Sequence, residues 1–68
     1  MGIELKLHEL LGKRRMTQKE LAEKTGIRPA TIHAMYHNKA IRVELNQIER
    51  ICNVLDCEPG DLIILQKE

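Results

Sequence analysis

Aromatic side chains are almost missing from this chain of 68 residues, which contains one Tyr and neither Phe nor Trp. Modules that bind single-stranded nucleic acid stack bases on aromatic side chains, so the composition disfavours that class. The core must instead consist of Leu, Ile, Met, Ala and Val. Hydrophobic residues still amount to 43% and charged residues to 31%, which is typical of a globular domain.

Long apolar segments and numerous cysteines are also lacking. The longest apolar run, residues 62–65, is far too short to cross a membrane, and the N-terminal residues contain no apolar core of a signal peptide. Two cysteines are too few for a disulfide scaffold. We therefore expect one domain, residues 1–68, in the reducing cytoplasm and without a membrane partner.

The net charge of +1 conceals an uneven distribution of charge. Residues 13–42 contain eight Lys and Arg but only two Glu, a net charge of +6, whereas the two flanks together carry −5. This pattern predicts one basic and one acidic surface. Because basic surfaces attract phosphates, it favours a nucleic-acid partner.

Apolar spacing predicts a mostly helical chain. Residues 3, 5 and 7 alternate as in a short strand, and a first helix is predicted over about residues 6–15. Thr17 and Glu20 have the spacing of a capping box, which predicts a second helix that ends near Lys24, before Gly26.

A third helix is predicted to begin at Pro29, which fits a first helical turn, and to end at about His37. Asn38 is suited to terminate it, and residues 39–43 form a loop. The fourth helix has Glu44 or Asn46 as alternative caps. Its apolar stripe contains Leu45, Ile48, Ile51, Cys52 and Leu55. Residues 58–62 indicate a turn with a short fifth helix, and residues 63–66 are compatible with a strand.

A helical wheel divides the third helix into two faces. Ile32 and Met35 share the buried face. The opposite face is small and polar, and contains Ala30, His33, Ala34 and His37. Such a helix suits a major groove about 12 Å wide.

Two short helices joined by a turn with Gly form a helix-turn-helix unit. In its residues this unit resembles the lambda-repressor/Cro-like family, often called the XRE family. The matching residues are Thr17, Gln18, Leu21, Ala22, Thr25, Gly26, Ile27, Thr31 and Ile32. The resemblance continues through Asn38-Lys39 to Leu62 and implies a five-helix DNA-binding fold.

The resemblance also implies where DNA is bound. In the family the start and outer face of the third helix, here about residues 28–38, contact bases, while the residue matching Gln18 grips a phosphate. Lys39 and Arg42 resemble backbone contacts. The implied DNA-binding residues are Gln18, Arg28, Pro29, Ala30, Thr31, His33, Ala34, His37, Lys39 and Arg42. Pro29 and Ala30 depart from the amide and hydroxyl side chains of many relatives, so base readout depends on Arg28, the histidines and methyl contacts.

Several residues have a second interpretation. His33 and His37 have metal-ligand spacing, but no third ligand is evident, and we predict neither a metal nor a cofactor. Cys52 is expected to be a buried structural thiol, and Tyr36 to pack at the edge of the core. Residues 13–15 are either a solvated helix end or phosphate contacts. An exposed part of residues 62–65 would be a dimer seam.

The sequence thus predicts an all-α, five-helix, lambda-repressor-like domain, with short terminal strands as an option. It contains no nucleophile, acid–base pair or phosphate loop, so we predict no enzyme. We expect a transcriptional regulator that binds double-stranded DNA as a homodimer on a palindromic operator. The alternative is an antitoxin-like or adaptor module that uses the same fold to bind a protein partner.

Overall fold

The computed structural model describes residues 2–66, and within them five helices are framed by two short strands. The elements are β1 (Gly2–Leu5), α1 (Leu7–Arg14), α2 (Gln18–Thr25), α3 (Pro29–Tyr36), α4 (Leu45–Leu55), α5 (Pro59–Leu62) and β2 (Ile63–Gln66). This confirms the predicted fold class and the terminal strands. Leu7 is the first residue of α1, which lies within the helix predicted over about residues 6–15. No described helix has both the length and the hydrophobicity to cross a bilayer.

The boundaries of α2 follow from side-chain hydrogen bonds and one glycine. The Glu20 N–H donates to Thr17 Oγ1 at 3.0 Å, and the Thr17 N–H donates to Glu20 Oε1 at 2.9 Å, so the predicted capping box is present. Gly26 ends the helix with a φ of 76°, a left-handed conformation that favours glycine. The choice of cap for α4 is also settled, because the Glu44 N–H donates to Gln47 Oε1 at 3.1 Å.

A buried threonine organises the turn between α2 and α3. The Thr25 hydroxyl donates to the Leu21 carbonyl at 2.7 Å and accepts from the Ile27 N–H at 3.2 Å. Its polar atoms are therefore satisfied inside the protein, where an unpaired group would be costly. On either side of this turn, Leu21 and Ile32 are fully buried in the core cluster to which both α2 and α3 contribute.

One predicted core residue is wrong. Ile48, Ile51, Cys52 and Leu55 form the buried stripe of α4, but Leu45 is 88% exposed. Leu45 is the first residue of α4 and lies a turn ahead of Ile48, where the described elements leave this end of the helix uncovered. Helical periodicity places a residue on a face, but it does not show how far along the helix the neighbouring elements extend.

The basic cluster at residues 13–15 has a structural component. Arg14 Nε donates to the Leu55 carbonyl at 2.7 Å, and its Nη2 donates to the Asp56 carbonyl at 3.2 Å. Arg14 thus caps the last turn of α4, whose carbonyls lack helical partners. Lys13 and Arg15 are exposed, and Arg15 ends α1 in a left-handed conformation.

The two thiols are held together at the end of α4. The Cys57 N–H donates to the Cys52 carbonyl at 3.0 Å across Asp56, which has a φ of 54°. This closing turn brings the two side chains into contact. Cys52 is buried, as predicted, while Cys57 is half-buried. Burial, aided by a hydrogen bond with the Cys57 thiol, raises the pKa of Cys52 to about 11.

We expect the two thiols to differ in reactivity. The thiolate is the reacting form, so a buried thiol with a raised pKa should be alkylated slowly in the native protein. With iodoacetamide at pH 8, Cys57 should be modified first and Cys52 at least tenfold more slowly, as measured by peptide mass spectrometry. In guanidinium chloride the two rates should converge. Equal rates in the native protein would contradict the burial of Cys52.

The two strands form an antiparallel ribbon that is tied to the end of α3. Leu5 pairs with Ile63, and Ile3 with Leu65. Asn38, in the predicted left-handed conformation with a φ of 58°, accepts from the Leu5 N–H at 2.7 Å through Oδ1 and donates to the Leu5 carbonyl at 3.1 Å through Nδ2. This side chain therefore connects the ribbon to the terminus of α3.

Candidate nucleic-acid interface

The outer face of α3 is an exposed surface of small and polar side chains. Ile32 and Met35 are fully buried. On the other side of the helix, Ala30 and His33 are exposed, as is His37 just after the last turn. Ala34 is half-buried, because the loop that follows α3 approaches it. The small residues leave no bulky side chain to hold another molecule away from the helix backbone.

A positively charged side chain lies at the N-terminus of α3. Arg28 is the exposed residue before the helix, and the exposed Pro29 occupies the first turn. Proline is tolerated there because the N–H it lacks would have no helical acceptor. Thr31 is half-buried on the next part of this turn. The positive end of the helix dipole and the Arg28 guanidinium therefore act on the same region.

Two of the predicted site residues contact each other between helices. Gln18 is the first residue of α2, and its Oε1 lies 3.3 Å from His33 Nδ1 on α3. The oxygen can only accept, so this contact is a hydrogen bond when the His33 proton is on Nδ1. It leaves the Gln18 amide nitrogen as a donor for an anion. The capping box of α2 already uses the Glu20 N–H, so the Gln18 side chain is the more suitable group for an anion at this end.

The loop after α3 forms one side of a shallow depression on the same surface. Ala30, Thr31 and Ala34 lie along one side of it, and Lys39 and Arg42 along the other, around a volume of about 440 Å³. The predicted residues of α3 and of the loop are thus brought together. The depression is open, so it suits part of an extended surface better than an enclosed small molecule.

Ile41 belongs to this depression and was not among the sequence-predicted site residues. Its side chain is 96% exposed between the two basic loop residues. Single exposed aliphatic side chains are common on protein surfaces, so Ile41 is included here because of its place in the depression and not because of its exposure alone. The available signal was an aliphatic residue in a loop with no periodic pattern to bury it, which is too weak to assign a role from sequence.

The cations around α3 are not neutralised by carboxylates. Among residues 2–66, the ion pairs are Lys6 with Glu4 at 3.6 Å, Lys6 with Glu9 at 3.5 Å and, when the ring is protonated, His8 with Glu9 at 3.9 Å. In that part of the chain, Arg28, Lys39 and Arg42 therefore have no acidic partner. Their charge is available to an external anion.

The histidines of α3 form a small ring cluster. The ring centroids of His33 and His37 are 4.4 Å apart, and those of His37 and Tyr36 are 5.0 Å apart. Within the described residues, no group of three His, Cys, Asp or Glu side chains has the arrangement of a metal site. Tyr36 is half-buried and packs against the core, as predicted.

Comparison with protein families gives a match over most of the chain. Residues 6–68 match the Cro/C1-type HTH DNA-binding domain. A curated relative, the uncharacterized HTH-type transcriptional regulator YozG of Bacillus subtilis (strain 168), is 36% identical over 63 residues, which cover 93% of this chain and 75% of YozG.

Two solved structures have a similar fold. The transcriptional regulator VanUg (Form II) superposes with a TM-score of 0.76 at 32% identity, over 100% of this chain and 92% of that one. A protein from Bacteroides fragilis superposes with a TM-score of 0.82 over 91% of this chain and 98% of that one. The latter is 24% identical, so it supports the fold alone.

Proposed function

This chain belongs to the Cro/C1-type helix-turn-helix family of DNA-binding transcriptional regulators, which is not an enzyme class, and we propose that it acts as a homodimer with α3 in the major groove. Each copy would read one half of a palindromic operator. In helix-turn-helix dimers the half-site centres lie about one helical turn apart, roughly 34 Å. We further propose that the protein acts in the cytoplasm, where free thiols such as Cys52 and Cys57 remain reduced.

The observation that carries this proposal is the combination of small outward side chains on α3 with cations at both of its ends that have no acidic partner among residues 2–66. Arg28 precedes the helix, while Lys39 and Arg42 follow it. A helix that enters a major groove needs a low profile toward the bases and positive charge toward the phosphates on each side. The free protein already has both features.

Each residue has a distinct role in this proposal. Gln18 donates its amide nitrogen to a phosphate, while its oxygen orients His33. Lys39 and Arg42 contact the backbone, and Arg28 reaches a base edge or the adjacent phosphate. The helix approaches the bases closely through its compact outward residues, and methyl groups on this surface contact thymine. These residues are Pro29, Ala30, Thr31 and Ala34.

Charge reversal tests the proposed surface. Arg28→Glu, Lys39→Glu and Arg42→Glu should each weaken binding to a mixed-sequence duplex severalfold without lowering the melting temperature. Each lost phosphate contact should reduce the slope of log K against log salt by about 1. Fluorescence anisotropy at several salt concentrations gives this slope.

Lys13→Glu is the matched control, because Lys13 is exposed on α1 and lies outside the proposed surface. It should change the slope less than the other three variants do. If all four variants have the wild-type slope, the proposed DNA face is wrong. If the wild-type protein binds no duplex DNA at low salt, the protein-interaction alternative replaces this proposal.

A further inference from the structure

The free edge of β1 has an unusual arrangement of hydrogen-bonding groups. In an antiparallel pair, successive residues direct their N–H and C=O groups alternately toward the partner strand and away from it. Asn38 takes both groups of Leu5, so these groups point away from β2. By the same alternation the N–H and C=O of Ile3 also point to the free edge. Asn38 occupies one position of this edge and leaves the next one open.

The open position lies beside an apolar groove. A groove of about 400 Å³ runs along the edge of β1, and Ile3, Ile41 and Val43 contribute its aliphatic lining. Ile3 is 64% exposed and Ile41 is 96% exposed. On the same face of the ribbon, Leu65 is paired with Ile3 and is 58% exposed. Exposed apolar strand edges are usually protected, because they template pairing with another chain.

We propose that a second copy of this chain docks on this edge, with the Ile3 residues of the two copies facing each other across a two-fold axis. An antiparallel strand edge can pair with itself about such an axis, and each Ile3 then supplies one donor and one acceptor to the other. The side chains of Ile3 and Leu65 from both copies cover each other and the Ile41 grooves. This assignment names the interface of the homodimer and rests on the proposed function.

The surroundings of the edge favour a second copy over another partner. The only charged residue that lines the described groove is Arg42, so the edge has no cluster of charge that would select an acidic or basic peptide. Ile41 and Arg42 also line the depression beside α3, so the proposed seam borders the proposed DNA face. Two copies joined there place their DNA faces next to each other, and Asn38 ties each α3 to the paired edge.

Sedimentation analysis over a range of concentrations tests this assignment on the whole chain. The wild-type protein should form a dimer, and Ile3→Gln and Ile41→Gln should each raise its dissociation constant tenfold or more. Ile64→Gln is the matched control. Ile64 lies in the same ribbon but on the opposite face, paired with Glu4, so this variant should change the constant less than twofold. Far-UV circular dichroism should show the same helical content for all four proteins.

The outcomes separate the interface from the DNA-binding proposal. A wild-type protein that stays monomeric at its highest soluble concentration overturns the assignment, as does a dimer that is equally stable with Gln at position 3 and position 41. Binding of a mixed-sequence duplex is measured on the same samples. A dimer that binds DNA but is insensitive to Gln at positions 3 and 41 refutes the interface alone. A monomer that binds DNA refutes both the interface and the proposed homodimer, and leaves DNA binding itself intact. A dimer sensitive to Ile3 that binds no duplex refutes the DNA-binding proposal alone.

Discussion

Ile32→Asp should unfold this domain at ordinary temperatures. Ile32 is fully buried on α3, in the core cluster that also contains Leu21 and Ala22 of α2. A carboxylate at this position would have no partner in an aliphatic environment, and an unpaired buried charge costs about 3 kcal/mol or more. A chain of this size has a total stability of about 5 kcal/mol, so the loss is decisive. Thermal melting followed by far-UV circular dichroism measures it.

Leu45→Asp is the matched control for this prediction. It places the same charge on a helix, but Leu45 is 88% exposed in the first turn of α4, where a negative charge interacts favourably with the helix dipole. Its melting temperature should stay within a few degrees of the wild-type value. Native-like melting of Ile32→Asp would mean that the assigned packing between α2 and α3 is wrong.

The helix-turn-helix unit was predictable because its signals are local. Thr17 and Glu20 define the start of α2, Gly26 ends it, and Pro29 begins α3, each through bonds within a few residues. The inward position of Ile32 also follows from the helical repeat alone. In a small domain whose local sequence preferences agree with the final fold, the sequence alone can predict where such helices begin and end.

Contacts between distant parts of the chain were not predictable. Arg14 caps α4 through a hydrogen bond to the Leu55 carbonyl, 41 residues away in sequence. Asn38 hydrogen-bonds to the backbone of Leu5, 33 residues away. Neither residue type has a periodic signature for such a role. Sequence spacing placed Asn38 correctly as a helix terminator, but the use of its side chain depends on where β1 passes.

The candidate site was predictable in part for the same reason. The faces of α3 follow from its periodicity, so the outward positions of Ala30, His33 and His37 could be derived. The bond between Gln18 and His33 depends on the crossing of two helices, and the exposed position of Ile41 depends on the path of a loop. Both required the three-dimensional structure.

The affinity for duplex DNA should rise as the pH falls from 8 to 6. His33 and His37 both lie exposed on the proposed DNA face, where a protonated imidazole would add a positive charge. The negative potential of DNA favours the protonated ring, so binding is accompanied by proton uptake. By linkage, a reaction that takes up protons becomes more favourable as the pH decreases. If DNA binds the charged ring tenfold more tightly than the neutral one, the binding free energy improves by about 1.4 kcal/mol. Screening by salt reduces this gain.

The two histidine rings lie close enough for positive charges on both of them to repel each other. The ring centroids of His33 and His37 are only 4.4 Å apart, so a proton on one ring opposes a proton on the other. The nearest polar neighbours supply no negative charge: Gln18 Oε1 lies 3.3 Å from His33, and the Tyr36 ring packs beside His37. His8, on α1, reaches this cluster only through Tyr36, with ring centroids 6.2 Å apart.

Three variants measure this coupling. His33→Gln and His37→Gln should each retain much of the pH dependence, because the remaining ring can then take up the proton without opposition. The double variant should be flat between pH 6 and 8. His8→Gln is the control and should keep the wild-type profile. Anisotropy titrations of a mixed-sequence duplex at fixed salt give the five profiles, that of the wild type included. A wild-type affinity that does not change with pH would remove both histidines from the interface, and base contacts would then have to come from Arg28 and Thr31.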